Sequence, residues 1–201
     1  MIAVLTERAL PALLSLWREC FPEDWDEDYA RDFLSLACRR GWARGYIEEH
    51  TLLASLCLLP LTGRDGRRGS YLYALCTHPC ARGRGIASAL TAHALDGGDF
   101  TVLIPATDSL RRFYRKRGFS ASVLTVAALT EERGEALTPS LSLPEELEDL
   151  VLRSLPRQNK PQGGEKVYEI RYTERSRSVI MKEAGMAAGL PGGLVLPPLP
   201  L

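Results

Sequence analysis

His78-Pro79-Cys80-Ala81-Arg82-Gly83-Arg84-Gly85-Ile86-Ala87-Ser88-Ala89-Leu90, written HPCARGRGIASAL, sets two glycines and two arginines directly before an apolar pattern at helical spacing. Upstream, Ser70–Cys76 reads as a strand rich in Tyr and Leu; downstream, Gly85–Leu95 reads as a helix with Ile86, Ala89, Leu90 and Ala94 turned inward and Gly97-Gly98 as its stop. A strand that passes through a glycine-rich turn into a helix leaves backbone N–H groups without acceptors at the positive end of the helix dipole. That is an anion site. Gly83 and Gly85 let a phosphate approach the main chain without meeting a Cβ, and Arg82 and Arg84 add charge beside it. A solvated surface turn is the competing account of the same residues.

Spacing narrows the anion. No GxxxxGK[ST] is present, which argues against a P-loop nucleotidase. The dinucleotide fingerprint needs its glycines directly after the strand, whereas Thr77–Arg82 intervene here and position 88 is Ser in place of a third glycine.

Working outward, Ile2–Leu5 reads as a short strand, Ala9–Cys20 as a helix with Leu10, Leu13, Leu14 and Trp17 at helical spacing, and Asp26–Arg39 as a second helix facing inward through Tyr29, Phe33, Leu34 and Ala37. Arg44–Glu49 and Thr51–Leu61 read as strands, the second so apolar that both its faces are expected to be buried. Beyond the glycine turn, Phe100–Ala106 reads as a buried strand, Ser109–Arg117 as a short helix closed by Gly118, and Phe119–Leu129 as a further strand. Strands separated by helices make this an α/β architecture. After about Thr130 the pattern weakens: Leu143–Leu155 reads as a helix, Lys166–Tyr172 and Ser178–Lys182 as paired strands, and Gly185–Leu201 as a Gly/Pro/Leu tail expected to lack fixed structure.

The 201 residues are 45% hydrophobic, enough for a real core, and their formal charges cancel. The distribution is uneven: residues 1–50 carry six basic against ten acidic side chains, residues 64–117 ten against four, and residues 118–201 nine against eleven. The basic middle attracts a polyanion. Nucleic acid would want a broader basic face with aromatics among the charges, so a small phosphorylated ligand fits better and no nucleic-acid partner is expected. No signal-like or membrane-spanning apolar run is read, so the expectation is a cytoplasmic protein with no membrane partner. Cys20, Cys38, Cys57, Cys76 and Cys80 are odd in number with no CxxC pair, which suits reduced thiols. Cys76-x-His78-x-Cys80 without a second cluster reads as packing, and no metal is expected.

Two segments now combine. Arg82-Gly83-Arg84-Gly85-Ile86-Ala87 resembles the (Gln/Arg)-x-x-Gly-x-(Gly/Ala) signature of the GNAT superfamily of acyl-CoA-dependent N-acetyltransferases, whose amides grip the pyrophosphate of coenzyme A, and Leu75–Pro79 is similar to the end of that family's fourth strand. Phe113-Tyr114-Arg115-Lys116-Arg117-Gly118-Phe119 resembles the second signature, an aromatic-Tyr pair on a short helix followed by Gly-Phe. The order and separation of the two are more specific than either alone.

The resemblance, over residues 1–129, implies a mixed, splayed central sheet flanked by helices, with residues 130–201 as an irregular C-terminal extension. It implies acetyl transfer from acetyl-CoA to a primary amine by direct attack, with Arg82, Gly83, Arg84, Gly85, Ile86, Ala87 and Ser88 on the coenzyme and the main-chain N–H at about Cys76 on the acyl carbonyl. Tyr114, a phenol of ordinary pKa about 10 beside a thiol of about 8.5, would reprotonate the departing thiolate; packing of Tyr114 with Phe113 against the sheet is the plainer account. A covalent Cys76 mechanism would need an activating base nearby.

The strand Ser70–Cys76 lacks the glutamate common in relatives, and position 107 is Thr where an Asn is common. Deprotonation of the amine would fall to water, Glu48, Glu49 or His78. The missing base leaves a non-catalytic CoA-binding regulatory module as the alternative function. Glu23-Asp24-Trp25-Asp26-Glu27-Asp28 borders the acceptor region of the resembled fold, where acids and an aromatic face would favour a cationic acceptor, small-molecule or peptidyl; N-capping by Asp26 explains the same residues more simply. The family sometimes dimerises, which allows a homodimer.

Overall fold

The computed structural model describes residues 1–23, 25–131, 134–137, 139–147, 150, 157–159, 166–172, 175–190 and 194–195. By backbone contacts the chain divides into two compact units, Met1–Leu59 with Ser70–Gly98, and Pro60–Gly69 with Asp99–Leu201.

In the first unit β1 (Ile2–Val4) lies antiparallel to β2 (Ala43–Glu48), with Ala3 opposite Gly45, and β2 lies antiparallel to β3 (Thr51–Gly63), which borders β4 (Arg68–Thr77). Between β1 and β2 run α1 (Leu10–Cys20), entered by one 3-10 turn over Glu7–Ala9, and α2 (Glu27–Arg39). Asp26 starts α2 by accepting the Tyr29 N–H at 3.0 Å, and Glu27 and Asp28 place negative charge in its first turn. Phe33, Leu34 and Ala37 of α2 are fully buried. Phe33 stacks on Trp17 of α1 (centroids 5.7 Å apart) and meets the edge of Tyr73 of β4 at 5.1 Å, so the two helices and the strand share one aromatic core. Residues 53–57 of β3 are buried without alternation, as its apolar composition predicts. The β2–β3 turn uses Glu49 and His50 at positive φ, the turn geometry that matches strand twist.

The unit closes with α3 (Ile86–Leu95), which buries Ile86, Leu90, Thr91 and Ala94. The expected inward Ala89 is exposed, and Thr91 takes the core position because its Oγ1 donates to the Ala87 carbonyl at 2.7 Å, leaving the hydroxyl satisfied within the helix.

The second unit holds the joined ends of β3 and β4, where Gly63-Arg64-Asp65-Gly66 forms the expected turn with Gly66 N–H on the Gly63 carbonyl at 2.9 Å. Buried β5 (Phe100–Leu103) is shorter than the expected Phe100–Ala106. α4 (Asp108–Arg115) is capped by the Thr107 hydroxyl on Leu110 N–H, and β6 (Ala121–Leu129) follows. Then come β7 (Glu135–Leu137), β8 (Leu141–Ser142), β9 (Lys166–Tyr172), β10 (Arg175–Ala188) and β11 (Leu194–Val195). β8 pairs with the end of β3, and β7 runs parallel to β9.

The C-terminal part differs from expectation at Gly185–Leu201, a tail expected to lack fixed structure. β9 and β10 pair antiparallel, with Tyr172 opposite Arg175, as expected for those segments. β10, however, runs on through Ala188 and pairs with β6 from Val179 to Ala187 and with β5 from Met186 to Ala188. Leu194–Val195 lies parallel to Val123–Leu124 of β6. Gly185–Ala188 and Leu194–Val195 are therefore strand, because β10 and β11 each find ladder partners in strands formed more than fifty residues earlier. The helix expected over Leu143–Leu155 falls partly outside the described residues; 145–147 are helical, with Leu147 fully buried. The remaining tail, 191–193 and 196–201, also lies outside them. No described helix is long and apolar enough to cross a membrane.

Candidate functional site

The glycine turn is assembled from the end of β4 upward. Ala74 has φ +50, a left-handed conformation that L residues avoid and that redirects β4 before Leu75 and Cys76. Nothing in the sequence marked Ala74, because the signal expected at such a position is glycine. Beyond Thr77, His78 N–H donates to the Leu53 carbonyl at 2.8 Å, Pro79–Ala81 makes one 3-10 turn, and Arg82 Nε donates back to the Thr77 carbonyl at 3.2 Å.

Gly83 and Gly85 have φ +77 and +78. A Cβ at either would meet nothing within 4 Å, so the left-handed backbone, rather than crowding, calls for glycine. Gly85 is the N-cap of α3, with no side chain capping the helix and no acidic residue in its first turn. Ile86, Ala87 and Ser88 form that first turn, Ile86 anchored by burial. An uncapped helix start approached through left-handed glycines and flanked by exposed arginines is a chemically competent anion cradle. Cys76, Arg82, Gly83, Arg84, Gly85, Ile86, Ala87 and Ser88 all belong to the first unit, while Tyr114 belongs to the second.

Two of the candidate bases are already engaged. Arg84 Nη2 donates to both carboxylate oxygens of Glu48 at 2.8 Å, and the carboxylate raises the guanidinium's already high pKa. His78 Nε2 lies 3.0 Å from Glu19 Oε2 at the end of α1, and its Nδ1 accepts the Cys80 N–H at 3.3 Å. Glu49 sits in the β2–β3 turn.

Cys76 is 6% exposed, with its Sγ 3.3 Å from Ser55 Oγ. A hydrogen bond with the Cys20 thiol, reinforced by burial, holds Cys76 well above the ordinary thiol range. That same bond, helped by Arg82, lowers Cys20 to about 7. The proton of the pair therefore stays on Cys76, which makes it a poor nucleophile. Among the described residues no group of three His, Cys, Asp or Glu side chains could hold a metal ion.

In the second unit Tyr114 is 6% exposed on α4, edge-on to Phe113 at 5.1 Å and to Phe119 at 5.6 Å, and Gly118 at φ +94 ends the helix between them. Burial pushes its phenol up to about 12, so it stays protonated at neutral pH. The Arg117 guanidinium lies over the Phe113 ring at 3.5 Å.

Part of the acidic segment at the start of α2 is engaged by the chain's own arginines. Glu27 pairs with Arg18 and Arg31, each at 2.9 Å, and the Arg18 guanidinium covers the Trp25 ring at 5.1 Å. Asp26 serves as the cap, and Asp24 lies outside the described residues.

A model of the acetyltransferase (GNAT) family matches residues 10–119. No curated protein matches in sequence. Among solved structures, Naa50 of Arabidopsis thaliana, in complex with the bisubstrate analogue CoA-Ac-MVNAL, is 20% identical with a TM-score of 0.51, over 63% of this chain and 87% of its own. A putative acetyltransferase from Pyrococcus horikoshii is 12% identical with a TM-score of 0.51, over 64% of this chain and 47% of its own. A GCN5-related N-acetyltransferase from Kribbella flavida is 22% identical with a TM-score of 0.48, over 64% of this chain and 34% of its own. The chain thus spans less than half the length of the last two.

Proposed function

Because the chain belongs to the GNAT acetyltransferase family, we propose that it moves an acetyl group from acetyl-CoA to a primary amine, of a small molecule or a peptide, by direct attack of the amine. The observation that carries this reading is the uncapped start of α3, opened by Gly85 at φ +78 within the family-matched stretch. In the proposal the amides of Gly83 to Ser88 and the Arg82 guanidinium hold the coenzyme's pyrophosphate, which the helix dipole and the exposed charge favour. Acetyl-CoA supplies the activated acyl group. The Cys76 N–H donates to the acyl oxygen as negative charge develops there, while the Cys76 thiol stays protonated and takes no part.

Tyr114 is assigned as the proton donor to the departing thiolate. Its support is the match of Phe113-Tyr114 and Gly118-Phe119 to the second signature; burial raises the phenol to about 12, which makes it a weaker acid and adds no support. Glu48 is tied to Arg84 and the basic Nδ1 of His78 is turned to Cys80, so water is assigned as the acceptor of the amine proton. Glu27 and the Trp25 face are taken by Arg18, so a preference for cationic acceptors would rest on the remaining described acids, Glu23 and Asp28.

Calorimetry with acetyl-CoA followed by an amine screen tests the reading. Tyr114→Phe should lose turnover with coenzyme affinity unchanged. The engaged state of both candidate bases favours one second reading, a non-catalytic CoA-binding module; tight acetyl-CoA binding without acetyl transfer across the amine panel would establish it. Absence of binding would remove both.

A further inference from the structure

We propose that Cys80 is a nucleophilic thiol, served by His78 as base and Glu19 as the group that orients the base, and that it takes small electrophiles at sulfur. Cys80 is exposed, and its Sγ lies 2.9 Å from His78 Nδ1. The opposite ring nitrogen, Nε2, lies 3.0 Å from Glu19 Oε2. The Cys80 main-chain N–H donates to Nδ1 at 3.3 Å, so Nδ1 carries the lone pair and the ring proton sits on Nε2, facing the carboxylate. That assignment follows from the donor pattern. Nucleophile, base and orienting acid are each within reach of the next, the constellation expected of an activated nucleophile.

Local structure holds the three groups. Glu19 is in the last turn of α1, His78 caps the 3-10 turn that carries Cys80, and the His78 N–H is fixed to β3 through Leu53. The other thiols are differently placed: Cys38, Cys57 and Cys76 are buried, and half-buried Cys20 has Cys76, Thr77 and Arg82 as partners rather than an imidazole.

With iodoacetamide as electrophile, the sulfur lone pair attacks the methylene carbon while the S–H proton passes to Nδ1. The S–C bond forms, the C–I bond breaks, and iodide leaves with the bonding pair. The resulting imidazolium faces the Glu19 carboxylate, and no oxidant or reductant is needed.

The test is limiting iodoacetamide on the full chain at neutral pH, with peptide mapping by mass spectrometry. Cys80 should be labelled first, about tenfold or more ahead of Cys20, and more slowly in D2O than in H2O, since the proton moves as the bond forms. His78→Gln should lower the Cys80 rate about tenfold or more and abolish the solvent isotope effect. Glu19→Gln should lower the rate several-fold, with part of it restored in Glu19→Asp. Labelling of Cys20 before Cys80, or a folded His78→Gln protein that alkylates at the wild-type rate, would overturn the proposal. Should His78→Gln fail to fold, equal wild-type rates in H2O and D2O overturn it alone.

Discussion

Arg84 in the glycine turn and Glu48 at the end of β2 are joined through both carboxylate oxygens at 2.8 Å. The pair restrains the turn and at the same time spends on a carboxylate part of the charge that a phosphate would meet. Glu48→Gln should therefore release the guanidinium and tighten acetyl-CoA binding a few-fold at low salt, with the gain shrinking as ionic strength rises. Both side chains keep nearly half of their surface exposed, so the melting temperature should hardly move. Calorimetry at two salt concentrations measures the gain. Loss of turnover by about a hundredfold in the same variant would instead make Glu48 the base of the reaction.

Two glycines separate conformation from crowding. At Gly85 a Cβ meets open space while φ is +78, so Gly85→Ala should cost about 1 kcal/mol of stability through backbone strain. It should also weaken acetyl-CoA binding by about tenfold, since tilting the first amides of α3 forfeits on the order of 1.4 kcal/mol of anion attraction. At Gly69 a Cβ would run into the Phe100 ring and carbonyl oxygen. Gly69→Ala should cost about 1–3 kcal/mol by overpacking and leave coenzyme affinity per folded molecule unchanged. Urea denaturation and calorimetry on both variants make the comparison.

Burial of Tyr114 predicts a pH dependence with a definite sign. The folded phenol titrates at about 12 against an ordinary value near 10. Below about pH 10 both folded and unfolded chains keep the proton and the contribution is fully present; between about 10 and 12 the unfolded chain alone ionises and stability is lost. Relative to Tyr114→Phe, the wild type should lose about 1.4 kcal/mol by about pH 11. Other raised groups, such as Cys38 and Tyr73, occur in both proteins and cancel in the difference. Parallel slopes of urea midpoint against pH in the two proteins would show that Tyr114 is not buried as described.

What could be read from the sequence was local. Asp26 as a cap, the unbroken apolar run of β3 and the Gly83/Gly85 turn are each written in adjacent residues, and each reappears in the structure. The pairing of β10 could not be read that way. Its Gly185-Met186-Ala187-Ala188 end carries no β-branched or aromatic residue and resembles coil, yet Met186 and Ala187 are buried because β5 and β6 supply ladder partners. The burial of Thr91 was hidden for a similar reason: its polarity disguised a hydroxyl already satisfied inside its own helix. The partners Glu48 and Glu19 were also out of reach, since they join Arg84 and His78 across 36 and 59 positions of chain.

Ala74 gives the last prediction. It occupies φ +50 in a strand that leads to Cys76, where only glycine adopts the conformation at no steric cost. Ala74→Gly should relieve that strain, offset in part by the greater freedom of glycine in the unfolded chain, for a net gain of about 0.5–1 kcal/mol in urea denaturation. If the bend at Ala74 aims the Cys76 N–H, the same variant should lose acetyl-transfer rate at unchanged coenzyme affinity, because a looser bend places the donor less well. Higher stability with lower kcat would tie the strain to function. Lower stability would mean that the left-handed bend is not the resting state of the strand.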